Sequence, residues 1–173
     1  MNTLLDNQLN WSLLQTGEIP YVPKDLNVYE EVDEVCEIIE QLTMVKKIDL
    51  IVEADESLSV FADSRALQTV LRNIVTNSLK YTGESGRISI RAEQKGSIVT
   101  IAIKDNGVGM SQKQLESLQL INKISQEGTN GEKGTGLGLI LAYDLVEMNK
   151  GELRINSVER VGTEVIISLP ISV

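Results

Sequence analysis

The sequence predicts an α/β fold, a two-layer sandwich in which a mixed, mostly antiparallel sheet packs against three helices. Three segments carry apolar residues at helical spacing, and several short apolar or alternating runs come in pairs, as the strands of hairpins do. The chain has 173 residues, of which 42% are hydrophobic and 24% are charged, so one domain with a sizeable core is expected. Because aromatic residues make up only 3%, Leu, Ile and Val must build that core.

The first segment of the chain reads as the end of a helix followed by a connection. Leucines recur at helical spacing through residues 2–15. Two prolines lie in residues 19–23, and a residue before proline avoids the helical region, so this stretch is predicted to be extended. We therefore place a boundary near residue 18, between a first segment, residues 1–17, and a domain, residues 18–173.

The domain is predicted to contain three main helices and six strands. Apolar periodicity predicts a helix at residues 28–46, and Asp63 is a suitable N-cap for a second helix at about 64–81. A third helix is predicted at residues 137–149. Strands are predicted at residues 49–54, 59–62, 87–94, 97–104, 151–157 and 162–169. Residues 111–133 are polar and predicted to form a long loop with one short helix at 112–119. Long loops in compact domains often serve as lids or binding loops.

The composition excludes several classes of function. The chain has no histidine, so it has no imidazole base and no histidine-ligated metal, and its one cysteine, Cys36, excludes an internal disulfide. The formal charge of −9 argues against a nucleic-acid-binding surface. No apolar run approaches the roughly 18 residues that would indicate a membrane span, and a signal peptide is not evident, so a reducing, cytoplasmic setting is expected.

The second predicted helix carries a polar ridge. At about 100° per residue, Asn73, Asn77, Lys80 and Tyr81 fall within one arc of that helix. An amide oxygen suits Mg²⁺, a lysine offers a charge to phosphates, and a tyrosine ring can lie against a purine. Taken alone, the ridge is equally typical of an ordinary solvated helix face.

Three further segments follow in the sequence. Asp105 lies at the end of the strand predicted at residues 97–104 and can accept a hydrogen bond from an exocyclic amine. Two glycines follow it, before Met110, and let the backbone come close to a flat base. A glycine-rich run, residues 134–139, opens the third helix, where free N–H groups point at an anion. Thr163 begins the last strand. Each of these segments by itself is also typical of a common turn or helix start.

Together, in this order, the four segments resemble the ATP-binding catalytic domain of sensor histidine kinases, which belongs to a superfamily shared with DNA gyrase, heat-shock chaperones and mismatch-repair ATPases. The resemblance covers essentially the whole chain and implies the histidine kinase-like ATPase fold. It implies a site formed by Asn73, Asn77, Lys80, Tyr81, Asp105, Gly107, Gly109, Met110, Gly134, Thr135, Gly136, Leu137, Gly138, Leu139 and Thr163.

The resemblance also implies a role for each of these residues. Asn73, Asn77 and Lys80 would be catalytic, with Asn77 holding Mg²⁺ and Lys80 touching phosphate. Tyr81 would stack on adenine, and Asp105 would bind its amine.

The remaining segments would complete the pocket. Thr163 would sit beneath the base, residues 134–139 would hold the phosphates, and the loop 110–133 would be the lid. Histidine kinases usually carry a phenylalanine-containing box in this lid, but the only phenylalanine here is Phe61. The candidates for its packing role are Leu118, Leu120 and Ile121.

The resemblance implies that the chain transfers the γ-phosphoryl group of Mg-ATP to a histidine on a dimerisation domain. Residues 1–17 would be the end of the last helix of that dimerisation domain. The expected partners are ATP or ADP, that dimerisation domain and, through the full kinase, a response regulator; contact with nucleic acid or membrane is not expected. The parent would be a homodimer and a cytoplasmic or membrane-anchored sensor, and the chain alone a monomer. Two alternatives stay open, an ATP-hydrolysing clamp and a non-catalytic nucleotide-binding module. Asn73 favours the kinase because clamp ATPases have a glutamate there, and an amide cannot act as a general base.

Overall fold

A computed structural model describes residues 20–125 and 137–171. Within these residues the strands are β1 (Lys24–Asn27), β2 (Asp49–Ala54), β3 (Ser59–Ala62), β4 (Arg87–Lys95), β5 (Ile98–Asp105), β6 (Glu152–Val158) and β7 (Gly162–Pro170). The helices are α1 (Val28–Lys46), α2 (Ser64–Tyr81), α3 (Gln112–Ser125) and α4 (Leu137–Met148). The predicted first helix and the boundary near residue 18 lie outside the described residues, so both stay predictions.

Five strands form the main sheet, in the order β2-β4-β5-β7-β6. The β2–β4 pair is parallel and the other three pairs are antiparallel. Helix α2 packs between α1 and α4. The predicted mixed, mostly antiparallel sandwich is therefore confirmed.

Two elements differ from the sequence-based prediction. Strand β1 was missed because Lys24–Asn27 is short and largely polar; it forms because it pairs with β3, which places Leu26 opposite Val60 in a separate two-stranded sheet. Helix α3 extends beyond the predicted end at residue 119 to Ser125. Its residues include Gln, Lys, Leu and Glu, which favour helix, and the glycines of this region all lie after it.

One face of the sheet forms the core with the helices. Side chains alternate along a strand, and here the inward positions of neighbouring strands coincide: Ile103 pairs with Val165, which in turn pairs with Ile155. All three side chains are buried. The outward face is polar and carries exposed ion pairs between β2 and β4, such as Arg91 with Glu53.

The start of α2 is the centre of a hydrogen-bonded junction that is buried on one side and partly exposed on the other. The predicted N-cap is confirmed, because Asp63 Oδ1 accepts from the N–H of Ala66 at 3.0 Å. The other carboxylate oxygen accepts from the N–H of Val22 at 2.9 Å. The side-chain oxygen of Asn149, which follows α4, accepts from the N–H of Asp63 at 2.8 Å and from the hydroxyl of Tyr21 at 3.3 Å. The connection before the domain, helix α2 and helix α4 therefore meet at one point.

None of the described helices is both long enough and apolar enough to cross a membrane.

Candidate functional site

A cavity of about 500 Å³ lies between helices α2 and α3, the start of α4 and the ends of strands β5, β6 and β7. This volume is in the range of small-molecule sites. The lining residues are Ile74, Asn77, Ser78, Tyr81, Asp105, Val108, Gly109, Met110, Lys113, Gln114, Ser117, Leu118, Leu139, Ile155, Thr163 and Val165.

The bottom of the cavity is the place where the inner face of the sheet changes from apolar to polar. Along β5 the inward side chains end in Asp105, and along β7 they begin with Thr163. Along β6 the inward series ends in Ser157, which pairs with Thr163. The alternation of the strands therefore gathers one carboxylate and two hydroxyls at a single end of the sheet.

Asp105 is held in place by backbone donors. Its side chain is almost fully buried, with 6% of the residue exposed. Its Oδ1 atom accepts hydrogen bonds from the N–H of Gly107 at 2.9 Å and the N–H of Thr163 at 3.2 Å. Both of these bonds use the same oxygen, so the carboxylate can receive a further donor at Oδ2.

Two glycines interlock the loops at this end of the cavity. Gly109 has φ +62°, and a Cβ there would collide with the carbonyl of Val158. Gly162 has φ +137°, and a Cβ there would collide with the carbonyl of Asp105. The loop after β5 and the turn between β6 and β7 can pack together only because both positions lack a side chain.

Helix α2 places part of its polar ridge on the cavity. Asn77 and Tyr81 line the cavity, and 42% of Tyr81 is exposed. Asn73 and Lys80 do not line it: Asn73 lies beside Gly138 at the start of α4, and the ammonium of Lys80 lies 5.1 Å from the ring centroid of Tyr81.

The last turn of α2, which carries Tyr81, is fixed by neighbouring elements. The ammonium of Lys46 on α1 donates to the carbonyl of Leu79 at 2.6 Å and to that of Thr82 at 3.2 Å. The N–H of Val108 donates to the carbonyl of Tyr81 at 3.1 Å. A cation at the C-terminus of a helix also complements the helix dipole. The orientation of the ridge is thus set by α1 and by the loop that follows β5.

Gly107 has a spacing role rather than a lining one. A Cβ at this position would collide with the carbonyl of Tyr81. The glycine lets the loop after β5 approach the end of α2 closely.

Helix α3 contributes lining residues that the sequence reasoning mostly missed. Lys113, Gln114 and Ser117 line the cavity, and Lys113 adds a positive charge at its rim. Leu118, one of the three candidates for the packing role of the missing phenylalanine, also lines it. All four of these residues lie within the helix predicted at residues 112–119, but helical spacing alone does not say which face of that helix meets the cavity.

The second glycine-rich segment is only partly described. Gly134, Thr135 and Gly136 lie outside the described residues, as does the side chain of Leu137. Leu139 lines the cavity from the first turn of α4. Within residues 20–118 and 138–171, no group of three or more His, Cys, Asp or Glu side chains could hold a metal ion.

Comparison with known proteins identifies the family of this chain. The family described as histidine kinase-, DNA gyrase B-, and HSP90-like ATPase matches residues 62–173. A sensor-like histidine kinase of Rhizobium meliloti (strain 1021) is 28% identical over 172 residues, which are 98% of this chain and 32% of that protein. The sensor histidine kinase WalK of Bacillus subtilis (strain 168) is 33% identical over 119 residues, which are 67% of this chain and 20% of that protein. The chain thus spans a third or less of the length of these curated relatives.

Solved structures give the same result. The nucleotide-free catalytic domain of histidine kinase ThkA superposes with a TM-score of 0.74 at 26% identity, over 86% of this chain and 97% of that one. Histidine kinase ThkA in complex with the response regulator protein TrrA superposes with a TM-score of 0.75 at 22% identity, over 97% of this chain and 48% of that one. The second likeness concerns the fold alone. The chain belongs to the histidine kinase-, DNA gyrase B-, and HSP90-like ATPase family, and it is an ATP-binding catalytic domain of the sensor histidine kinase type.

Proposed function

We propose that this chain binds Mg-ATP in the cavity and transfers the γ-phosphoryl group to a histidine on a separate dimerisation domain. The observation that carries the proposal is the buried carboxylate of Asp105 at the bottom of a nucleotide-sized cavity. Thr163 lies beside it, and Asn77 and Tyr81 lie on the facing helix.

The base of the nucleotide would bind at the polar end of the cavity. A carboxylate only accepts hydrogen bonds, so Asp105 suits the exocyclic amine of adenine. The apolar walls above it, formed by residues such as Met110, Leu139 and Val165, suit the faces of the ring. Tyr81 is half exposed at the edge of the same cavity and would lie against the base.

The phosphates would bind toward the start of α4. Asn77 lines the cavity, and its amide oxygen would be the protein ligand of Mg²⁺, whose other ligands would be phosphate oxygens and water. The residues present therefore fit an ion that is brought in with the nucleotide better than a resident metal. The ion offsets phosphate charge, and Lys80, Lys113 and the N-terminus of α4 would stabilise what remains.

Transfer to histidine fits the chemistry of the ridge better than hydrolysis does. Phosphoryl transfer depends mainly on positioning and charge stabilisation. Asn73 carries no titratable group, so it cannot activate water as a general base. The two alternatives, a hydrolytic clamp and a non-catalytic nucleotide module, become outcomes of the experiments below.

The partners follow from the same proposal. The acceptor must come from another domain, because this sequence contains no histidine. One protein of similar fold was solved with a response regulator protein, and we extend that class of partner to the parent kinase. Because the donor is ATP, the domain must lie in a compartment that contains ATP, which agrees with a cytoplasmic location.

Calorimetry and thermal unfolding test the nucleotide site. ATP or ADP at ~100 times its dissociation constant should stabilise the chain by about 2.7 kcal/mol. Asp105→Asn should weaken binding strongly, whereas Asp25→Asn on the exposed strand β1 should not. Asn77→Ala should remove the dependence on Mg²⁺, with Asn156→Ala on the outer face of β6 as its control. An unfolding temperature unmoved by saturating Mg-ATP would overturn the proposal.

A labelling experiment tests the transfer. The chain is incubated with ATP labelled in the γ-phosphate, with and without the histidine-bearing dimerisation domain of a sensor kinase. Label should appear only on the added domain, and its bond should be stable to alkali and labile to acid. Transfer should be slow, because separate domains lack the high effective concentration that a covalent link gives. Rapid release of phosphate without transfer would favour the clamp, and binding without either reaction would favour the non-catalytic module.

A further inference from the structure

Ser157 is a half-buried residue of β6 that lies directly behind the bottom of the cavity. Its hydroxyl oxygen makes three contacts: the N–H of Met110 at 2.9 Å, the carbonyl of Gly162 at 3.1 Å and the hydroxyl of Thr163 at 2.8 Å. Two of these partners, Met110 and Thr163, line the cavity. Ser157 therefore joins the loop after β5 to the start of β7.

Counting protons assigns the direction of each of these bonds. A serine hydroxyl has one hydrogen to donate and two lone pairs that accept. The carbonyl of Gly162 can only accept, so Ser157 donates its hydrogen there. The N–H of Met110 can only donate and takes one lone pair. The remaining lone pair then accepts the hydrogen of Thr163.

This assignment determines what Thr163 offers to a ligand. Its only hydroxyl hydrogen is directed to Ser157 and away from the cavity, so the oxygen meets a ligand with lone pairs. The neighbouring carboxylate of Asp105 is also an acceptor. Asp105 and Thr163 therefore both present acceptors here, which match the amine of a 6-amino purine and repel the carbonyl oxygen of a 6-oxo purine.

We propose that Ser157 is a specificity-determining positioning residue, which orients the hydroxyl of Thr163 so that the site takes a 6-amino purine and rejects a 6-oxo purine. This inference rests on the proposed function, since it concerns the base end of the same site. Ser157 acts through Thr163 and does not touch the ligand. Without the serine hydroxyl, the hydrogen of Thr163 is free to turn toward the cavity and donate to a 6-oxo group.

The test compares two nucleotides that differ at this position of the purine. The dissociation constants of Mg-ADP and Mg-IDP are measured by calorimetry for the unmodified chain, Ser157→Ala, Ser157→Thr and the control Ser97→Ala. Ser97 lies at the exposed end of the β4–β5 hairpin. We expect the preference for ADP over IDP to fall by about three- to tenfold in Ser157→Ala, the worth of one hydrogen bond. Ser157→Thr keeps the hydroxyl and should keep the preference for ADP over IDP. Ser97→Ala should leave that preference unchanged.

A role limited to holding the fold gives a different result. Loss of the Met110 contact would weaken both nucleotides by the same factor, and an unchanged ratio would overturn the inference. Thr163→Val removes the hydroxyl that Ser157 orients and should lower the preference for ADP over IDP by a similar factor. The test can therefore still be made if Ser157→Ala folds poorly. If the unmodified chain binds neither nucleotide, the proposed function itself fails, which is a separate outcome.

Discussion

At the scale of single residues, the site depends on glycines whose neighbours are backbone atoms. At Gly109 and Gly162 an added Cβ would meet a carbonyl of the opposing loop, which cannot turn aside as a side chain can. Gly96, in the β4–β5 turn, has nearly the same φ as Gly109, +64° against +62°, but open space around it. Substitutions at Gly96 and Gly109 therefore separate the energetic cost of the left-handed backbone from the cost of the collision.

We expect Gly109→Ala to destabilise the chain much more than Gly96→Ala. Both substitutions place alanine in the left-handed region, at a cost of roughly 1–2 kcal/mol. Only Gly109→Ala adds a collision with Val158, and overpacking of this kind costs about 1–3 kcal/mol more. Urea unfolding of both variants measures the difference. Equal losses of unfolding free energy would show that the two loops separate easily, contrary to the interlock.

At the scale of secondary-structure elements, a buried carboxylate joins α1 to α2. Glu31 is only 8% exposed, and it accepts hydrogen bonds from the hydroxyl of Ser64 at 2.9 Å and from the side-chain amide of Gln68 at 2.8 Å. Burial raises the pKa of Glu31 above its ordinary value of 4.5. This effect outweighs the lowering of the pKa by the hydrogen bonds from these two donors. The contact joins the two helices but leaves a largely buried carboxyl group between them.

The raised pKa of Glu31 predicts a pH-dependent effect of Glu31→Gln. A carboxyl whose pKa is higher in the folded state contributes stability that is complete below the unfolded pKa and is lost as pH rises through the folded pKa. Glutamine cannot ionise and keeps an accepting oxygen for Ser64. The unfolding free energy of the variant, relative to the unmodified chain, should therefore increase as pH rises from about 4 to about 7.

The control for this measurement is Glu37→Gln, an exposed position on the same helix. This variant removes the same charge from the same helix without changing the contact that Glu31 makes with α2. A difference between Glu31→Gln and the unmodified chain that stays constant with pH would contradict the assigned cause.

At the scale of the whole molecule, the sequence predicts the layers well and the details of the site only in part. Helical spacing located α1 and α2, because each buries one apolar stripe. Helix α4 was located because its residues are mostly apolar, and only Glu147 is exposed along residues 138–148. Strand β1 could not be found from the sequence, since it exists only through its pairing with β3, a contact distant along the chain.

The same distinction holds for the candidate site. The motif residues that line the cavity, such as Asp105 and Asn77, stand out by chemical type and spacing. Ser157 does not stand out in this way, although the alternation of β6 points to it. The inward positions Leu153 and Ile155 are followed, two residues later, by Ser157. Lys113 and its neighbours on α3 depend on how that helix packs, which periodicity alone does not state.

The folding unit is larger than the segment that matches the family, which begins at residue 62. Elements before that residue supply buried side chains to the common core, including Leu26 on β1 and Val32, Val35 and Ile39 on α1. We expect residues 62–173 alone to lack a cooperative thermal transition, because α2 would expose the face that α1 covers. Residues 20–173 should keep one, in agreement with the predicted boundary near residue 18. Circular dichroism compares the two chains, and similar cooperative melts would contradict this view of the core.

The junction at Asp63 has a mechanical consequence. Val22 and Tyr21 are tied through Asp63 and Asn149 to the first turn of α2 and the end of α4, the helices that carry Asn77 and Leu139. If Tyr21 and Val22 move and keep these bonds, both helices must move with them. If the helices stay in place, the two part-buried hydrogen bonds must break. Tyr21 and Val22 therefore couple the segment before β1 to two neighbouring helices that both line the cavity.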